Sequence, residues 1–293
     1  MDQHGGLVYE HYHYWLIFVV KVGKWLLHGE RPYWWVAERD LNLTLLQTPL
    51  SCETGPGLPS GHSQATALIS FCLVDTLSTF SSSALRPLLW TAFLASQLLM
   101  WTSRLYISAH FPHQCLLGFI VGLVIVRKFY IRGSWIQRRT SSLILFSLFL
   151  ISSSLAVYLV LLRLDFDPNW SLVLAEKHCH NPDWIWIDTT PFYSMMRFSG
   201  AALGLSMSGF LTMDVFSSPG PLTRVTSLLV GLGLGQLSHL LHKNIPRAPL
   251  NQFYLLEFLL NAFYVIVVVK TFQVLSSYNF CGNQKTNRKK SQY

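Results

Sequence analysis

Long uninterrupted apolar stretches set the first limit on what this chain can become. Eight of them are read, at about 13–29, 63–82, 86–103, 113–131, 142–162, 194–213, 223–241 and 252–274. Each approaches the roughly 20 residues that a helix needs to cross a hydrocarbon core of about 30 Å. Inside lipid the backbone must satisfy its own hydrogen bonds, and a helix does so within one segment. Charged residues make up only 12% of the chain, against about 25% in soluble domains. That is too little charge to coat a globule of 293 residues. The pattern predicts an all-α, polytopic membrane protein of about eight transmembrane helices. It forms one domain over 1–281, followed by a disordered cytoplasmic tail at 282–293.

The net charge of +8 would suit a nucleic-acid partner, but its distribution argues otherwise. Basic residues gather in 128–139 and 285–290, beside apolar stretches, where they mark cytoplasmic loops. Four spans separate the two clusters, so both fall on one side. The loops at 30–62, 104–112, 163–193 and 242–251 then lie on the other. Two glycosylation sequons, at Asn42 and Asn169, fall in those outer loops; glycosylation requires that side. Five cysteines, Cys52, Cys72, Cys115, Cys179 and Cys281, show an odd count and no repeated spacing. No disulfide framework is expected from them. Neither CxxC nor HExxH occurs, so no metal site is expected.

Three short motifs fall on the outer side, although hydropathy placed the loops without reference to them. Lys24 is followed after six residues by Arg31 and Pro32. Pro59-Ser60-Gly61-His62 opens the second apolar stretch. Ser103-Arg104 is followed after five residues by His110. Phosphoryl transfer needs positive charge around three phosphate oxygens and a nucleophile in line with the leaving oxygen. Arginine offers planar paired donors, and lysine a point charge. Gly61 lets backbone approach a ligand, and Ser60 with the following helix N-terminus can donate to an anion. Of two histidines, one can attack phosphorus while the other protonates the leaving oxygen. The basic residues already balance the phosphate charge, so no metal or other cofactor is required.

In this order the three motifs resemble the signature of the type 2 phosphatidic acid phosphatase superfamily. The segments Arg31 to Val36, Cys52 to Gly57, His110 to Gln114 and Ile187 to Phe192 resemble the glucose-6-phosphatase catalytic subunits. The resemblance implies a phosphatidic acid phosphatase type 2-like helical bundle. It makes His110 the nucleophile and His62 the general acid. Lys24, Arg31 and Arg104 then hold the phosphate, with Ser60 and Gly61 lining it. It further implies an endoplasmic reticulum membrane, a lumenal active site and glucose 6-phosphate as substrate. Membrane lipid surrounds the chain, and a glucose-6-phosphate transporter is the implied partner. The superfamily usually carries an acidic residue four positions after the nucleophile, where this chain has Gln114; what orients the His110 ring is left open. Family members also carry one span more before the lysine, so the first family helix reads as missing.

Blander readings stand beside these. Lys24 at a span end can snorkel to headgroups, and lone histidines are usually interfacial. His113 is the nearest rival of His110, but lacks the motif spacing. Tyr33, Trp34 and Trp35 read either as an interfacial aromatic belt or as a surface for stacking on a sugar. Glu53 and Asp188 read as acceptors for sugar hydroxyls or as solvated loop charges, and the sequence does not choose. Two other functions stand beside the sugar phosphatase. One is a lipid phosphate phosphatase, and the other an inactive paralogue or sugar-phosphate transporter.

Overall fold

The computed structural model describes residues 23–127, 140–210 and 221–290. Nine α-helices are found among them. They are α1 (Pro32–Glu38), α2 (Gly61–Phe80), α3 (Arg86–Tyr106), α4 (Pro112–Ile125) and α5 (Thr140–Arg163). After these come α6 (Trp170–His178), α7 (Pro191–Phe210), α8 (Pro221–Lys243) and α9 (Leu250–Lys290). No strand is named among the described residues, only an isolated bridge between Glu53 and Trp186. Helices coincide with seven of the eight apolar stretches read from the sequence. Most of the first, 13–29, lies outside the described residues, with a helical turn visible at 23–27.

The helices begin where local chemistry lets them. Prolines sit in the first turns of α1, α3 and α4, where the missing N–H costs nothing. Ser60 caps α2 by accepting from the Ser63 N–H, a bond that satisfies one orphan donor. Two helices of 20 and 21 residues, α2 and α3, pack side by side, and α4 packs on both. The α2 and α4 N-termini lie together: Ser60 N–H donates to Gln114 O at 3.1 Å, and Ser63 Oγ donates to Cys115 O at 2.7 Å. Gly118 lets α4 approach this closely, since a Cβ there would fall on the Ser60 carbonyl oxygen.

These helices wear their apolar side outward. Ile69, Leu73, Leu94, Leu98 and Leu99 are exposed, while Ser63, Gln64, Ser78 and Gln97 are buried. A water-soluble bundle would do the reverse. Among the described residues, Leu250–Leu275 within α9 is the one stretch long and apolar enough by itself to cross a membrane, and it fits a membrane protein. The polar residues turned inward on α2 and α3 lower their average hydropathy below that of a plain lipid-facing helix.

The described residues divide into two compact units. The first holds 23–127 and 152–195, the second 140–151, 196–210 and 221–290. In the first, α1 and α6 pack through Tyr33, Trp34 and Ala175, with Trp170 and Leu174 against them. In the second, α7 and α9 share a core of Ala201, Leu205 and Val265. Gly200 and Gly204 lie one turn apart on α7. A Cβ on the first would meet Phe258 O, and on the second Ala262 O. This small-xxx-small pattern lets two backbones touch in a membrane bundle. Replacing Gly204 with Leu is therefore expected to lower the melting temperature of the detergent-solubilised protein. The overpacking cost is about 1–3 kcal/mol, and Gly23→Leu, where nothing lies within 4 Å of the added Cβ, is the control.

Candidate active site

The site forms where several element ends meet in the first unit. Arg31 is the residue before α1, Ser60 the residue before α2, and Gly61 and His62 open α2. Arg104 lies in the last turn of α3, and His110 two residues before α4. Antiparallel packing of α2 with α3, and of α3 with α4, brings those ends to one face. The α2 and α4 N-termini add the positive ends of two helix dipoles there.

Glu53 is at the centre. Its Oε2 lies 2.8 Å from Arg31 Nη1 and 3.9 Å from His110 Nε2. Its Oε1 lies 3.3 Å from Arg104 Nη1 and 3.7 Å from His62 Nδ1. Arg31 is also held by backbone: Nε donates to Gly55 O at 2.6 Å and Nη1 to Ala109 O at 3.0 Å. Lys24 Nζ donates to Pro56 O at 2.6 Å. Arg31, Lys24 and His110 are buried, while the His62 side chain is 48% exposed. Among the described residues Arg104 Nε is buried with no hydrogen-bond partner, which leaves one donor waiting for an acceptor. Burial opposes ionisation of Glu53, but the charges around it, Arg31 foremost and Lys24 among them, hold its carboxyl well below the usual range.

The His110 ring is set by bookkeeping of donors and acceptors. Gln114 Nε2 donates to Glu30 O at 2.6 Å. A carbonyl only accepts, so the amide nitrogen must face it. The Gln114 oxygen therefore faces the other way, accepting from Phe111 N–H at 3.1 Å and lying 3.0 Å from His110 Nδ1. Nδ1 must then carry the proton, and Nε2 keeps its lone pair toward Glu53 and the arginines. Gln114 thus does the orienting work left open by the sequence. Burial first, and Arg31 second, push His110 well below its ordinary value, so the ring stays neutral near neutral pH. Gly57 is required beside the amide, because a Cβ there would lie 2.6 Å from Gln114 Oε1.

Ligand atoms of Glu53, His62 and His110 lie within 4.8 Å of one another, a spacing that a metal ion can use. Two guanidiniums share the same carboxylate, however, and they would face any cation bound there. The place suits an anion.

Ser60 is buried and spends its oxygen on the α2 cap. His113 is exposed and stacks on Phe111, outside the cluster. Tyr33 and Trp34 are not available to a sugar: both are buried in the α1–α6 core, and Tyr33 Oη donates to Glu53 O at 3.1 Å. Trp35 is partly exposed and packs edge-on against Phe111. Glu53 is a site residue rather than a solvated loop charge.

The expectation of no disulfide is overturned: Cys52 and Cys179 are bonded. Their separation of 127 residues hides the pairing from any reading by spacing, since the fold alone brings them together. The bridge ties the segment of Glu53 to the loop after α6. Trp186 N–H donates to Cys52 O at 3.2 Å, and Thr54 N–H to Thr189 Oγ1 at 2.8 Å.

One buried and one partly buried guanidinium, an ammonium and two imidazoles gather around one anion position, a cluster whose charge suits phosphate in a helical phosphatase. Residues 12–138 match the PAP2 superfamily. The chain is 35% identical over 271 residues to glucose-6-phosphatase catalytic subunit 1 of Rattus norvegicus, covering 83% of this chain and 75% of that one. It is 34% identical over 267 residues to glucose-6-phosphatase 2 of Homo sapiens, covering 84% and 75%. It is 38% identical over 217 residues to the catalytic subunit 1 of Canis lupus familiaris, covering 69% and 61%. No solved structure matches it significantly. The chain belongs to the glucose-6-phosphatase catalytic subunit family and is a phosphoric monoester hydrolase.

Two outcomes test this geometry. Gln114→Leu is expected to lower kcat on a phosphate monoester by on the order of 10²-fold, the usual worth of a positioned acid–base group. Gln114→Glu, which still accepts from Nδ1, retains more activity than Gln114→Leu. Cys179→Ser, or reduction of the wild type, is expected to remove about 2–5 kcal/mol of stability, read as a lower melting temperature in detergent.

Proposed function

We propose that the chain releases inorganic phosphate from glucose 6-phosphate through a phosphohistidine on His110. Its phosphate group lies between Arg31 and Arg104, with Lys24, Ser60 and Gly61 completing the cradle. His110 Nε2 attacks phosphorus, and the bond from phosphorus to the sugar oxygen breaks. His62, protonated and open to solvent, gives its proton to that oxygen, and glucose leaves. Neutral His62 then takes a proton from water as the water attacks the phosphohistidine, and phosphate and His110 are regenerated. Charge that builds on the phosphoryl oxygens meets donors already in place, which is how such a site lowers the barrier. The observation that carries this reading is the Gln114 amide, which donates to Glu30 O and so turns its oxygen to His110 Nδ1, leaving Nε2 toward the position flanked by both arginines.

The proposed setting is the endoplasmic reticulum membrane, with about eight spans, lumenal site loops and a cytoplasmic C-terminus. The Cys52–Cys179 bridge supports an oxidising side for the site. Asn42 stands in an exposed loop, as glycosylation there would need, whereas Ser171 of the Asn169 sequon is buried. Lipid covers the exposed leucines, and a transporter delivers glucose 6-phosphate to the lumen.

Incubation with glucose 6-[³²P]phosphate followed by rapid quenching is expected to trap acid-labile label on the wild type. His110→Asn loses that label and at least about 10³-fold in turnover, as when a covalent nucleophile is removed. The label still forms at pH 6, because the ring remains neutral below the ordinary 6.5. A folded wild type that neither turns over nor labels overturns the reading.

A further inference from the structure

Glu53 stands where an anionic ligand has to be. Its carboxylate takes Nη1 of Arg31 at 2.8 Å and Nη1 of Arg104 at 3.3 Å. One of its oxygens lies 3.9 Å from His110 Nε2, in the space a phosphorus atom must enter for attack. The backbone beneath it is pinned. Glu53 N–H donates to Ser51 O at 2.9 Å, Tyr33 Oη donates to Glu53 O, and the neighbouring Cys52 is bridged to Cys179. These bonds hold the backbone and leave side-chain rotation as the ready way for the carboxylate to move.

The geometry points to Glu53 as an internal competitor of phosphate: its carboxylate occupies the arginine pair at rest, yields it to the phosphate of the substrate, and takes it back as the phosphate product leaves. This rests on the phosphate-site reading given above. The exchange is favoured on binding because a phosphate monoester brings more charge and three acceptor oxygens, and Arg104 Nε, unused at rest, gains a partner. Release then costs less than it would from an empty cradle, because the carboxylate refills the donors that phosphate vacates. Without such a competitor, Lys24, Arg31 and Arg104 would hold inorganic phosphate tightly, and product release often limits turnover. Glu53 thereby trades affinity for speed, and it acts on any phosphate or phosphate-like oxyanion.

Glu53→Gln keeps the side-chain shape and removes the charge. The concentration of orthovanadate, and separately of inorganic phosphate, that gives half-maximal thermal stabilisation is measured in detergent for wild type and variant. The expected result is a fall of about tenfold or more, since like-charge contacts in a binding site cost at least that factor. KM for the monoester falls with it, and kcat does not rise. Glu53→Asp, which keeps the charge but retracts it by one methylene, shifts in the same direction and stands in if Glu53→Gln does not fold. A merely structural role would weaken anion binding. A folded variant whose half-maximal concentrations are unchanged or raised overturns the proposal. The thermal readout needs no turnover, so this failure is distinct from failure of the wild type to hydrolyse or label.

Discussion

Positive charges cannot be buried together unless something answers them, and that constraint organises this end of the molecule. Burying an ion costs several kcal/mol even after relaxation. Lys24 and Arg31 are both almost fully buried. The answer comes from one short segment. Pro56 O takes the ammonium, Gly55 O takes one guanidinium edge, and the Glu53 carboxylate takes another. The glycines of this segment allow the approach. A Cβ on Gly55 would strike Thr189 O, and one on Gly57 would strike the Gln114 amide. The disulfide and the bonds to Trp186 and Thr189 then keep the segment from drifting away from its cations.

A single amide couples that segment to the chemistry. Gln114 belongs to the first turn of α4, yet it touches the His110 ring, the Phe111 N–H that opens the helix, and the Glu30 carbonyl just before Arg31. The same group therefore caps a helix, holds the backbone just before Arg31 and fixes a tautomer. An acidic side chain here would accept from Nδ1 equally well but would set a second carboxylate against the Glu30 carbonyl. The amide avoids that repulsion by donating. It also leaves Glu53 as the only carboxylate that His110 and the arginines face among the described residues.

Much of this was legible in the sequence, for definite reasons. Apolar stretches announce helices because lipid leaves the backbone no other partner. The Lys24, Arg31, His62, Arg104 and His110 spacings announce a cluster because each sits at an element end that the fold returns to one face. What stayed hidden depends on contacts distant in sequence. Glu53 looks like any loop acid until Arg31, 22 positions away, is seen against it. Cys52 and Cys179 look unpaired because only the packing of the 179–190 loop on the 52–57 segment joins them. Tyr33 and Trp34 look like an interfacial belt because hydropathy does not separate an aromatic facing headgroups from one buried under α6.

The net charge of the cradle gives these details one purpose. Three cations, Lys24, Arg31 and Arg104, against one carboxylate, Glu53, leave two positive charges. A phosphate monoester dianion carries two negative ones, so its arrival neutralises the site. Had the cluster carried three unanswered cations, any oxyanion would be bound more strongly. Had it carried a second carboxylate at position 114, the net positive charge that draws an anion would be halved. A neutral amide beside His110 and one carboxylate beside the arginines leave the cluster a net positive charge of the size that a phosphate dianion would answer.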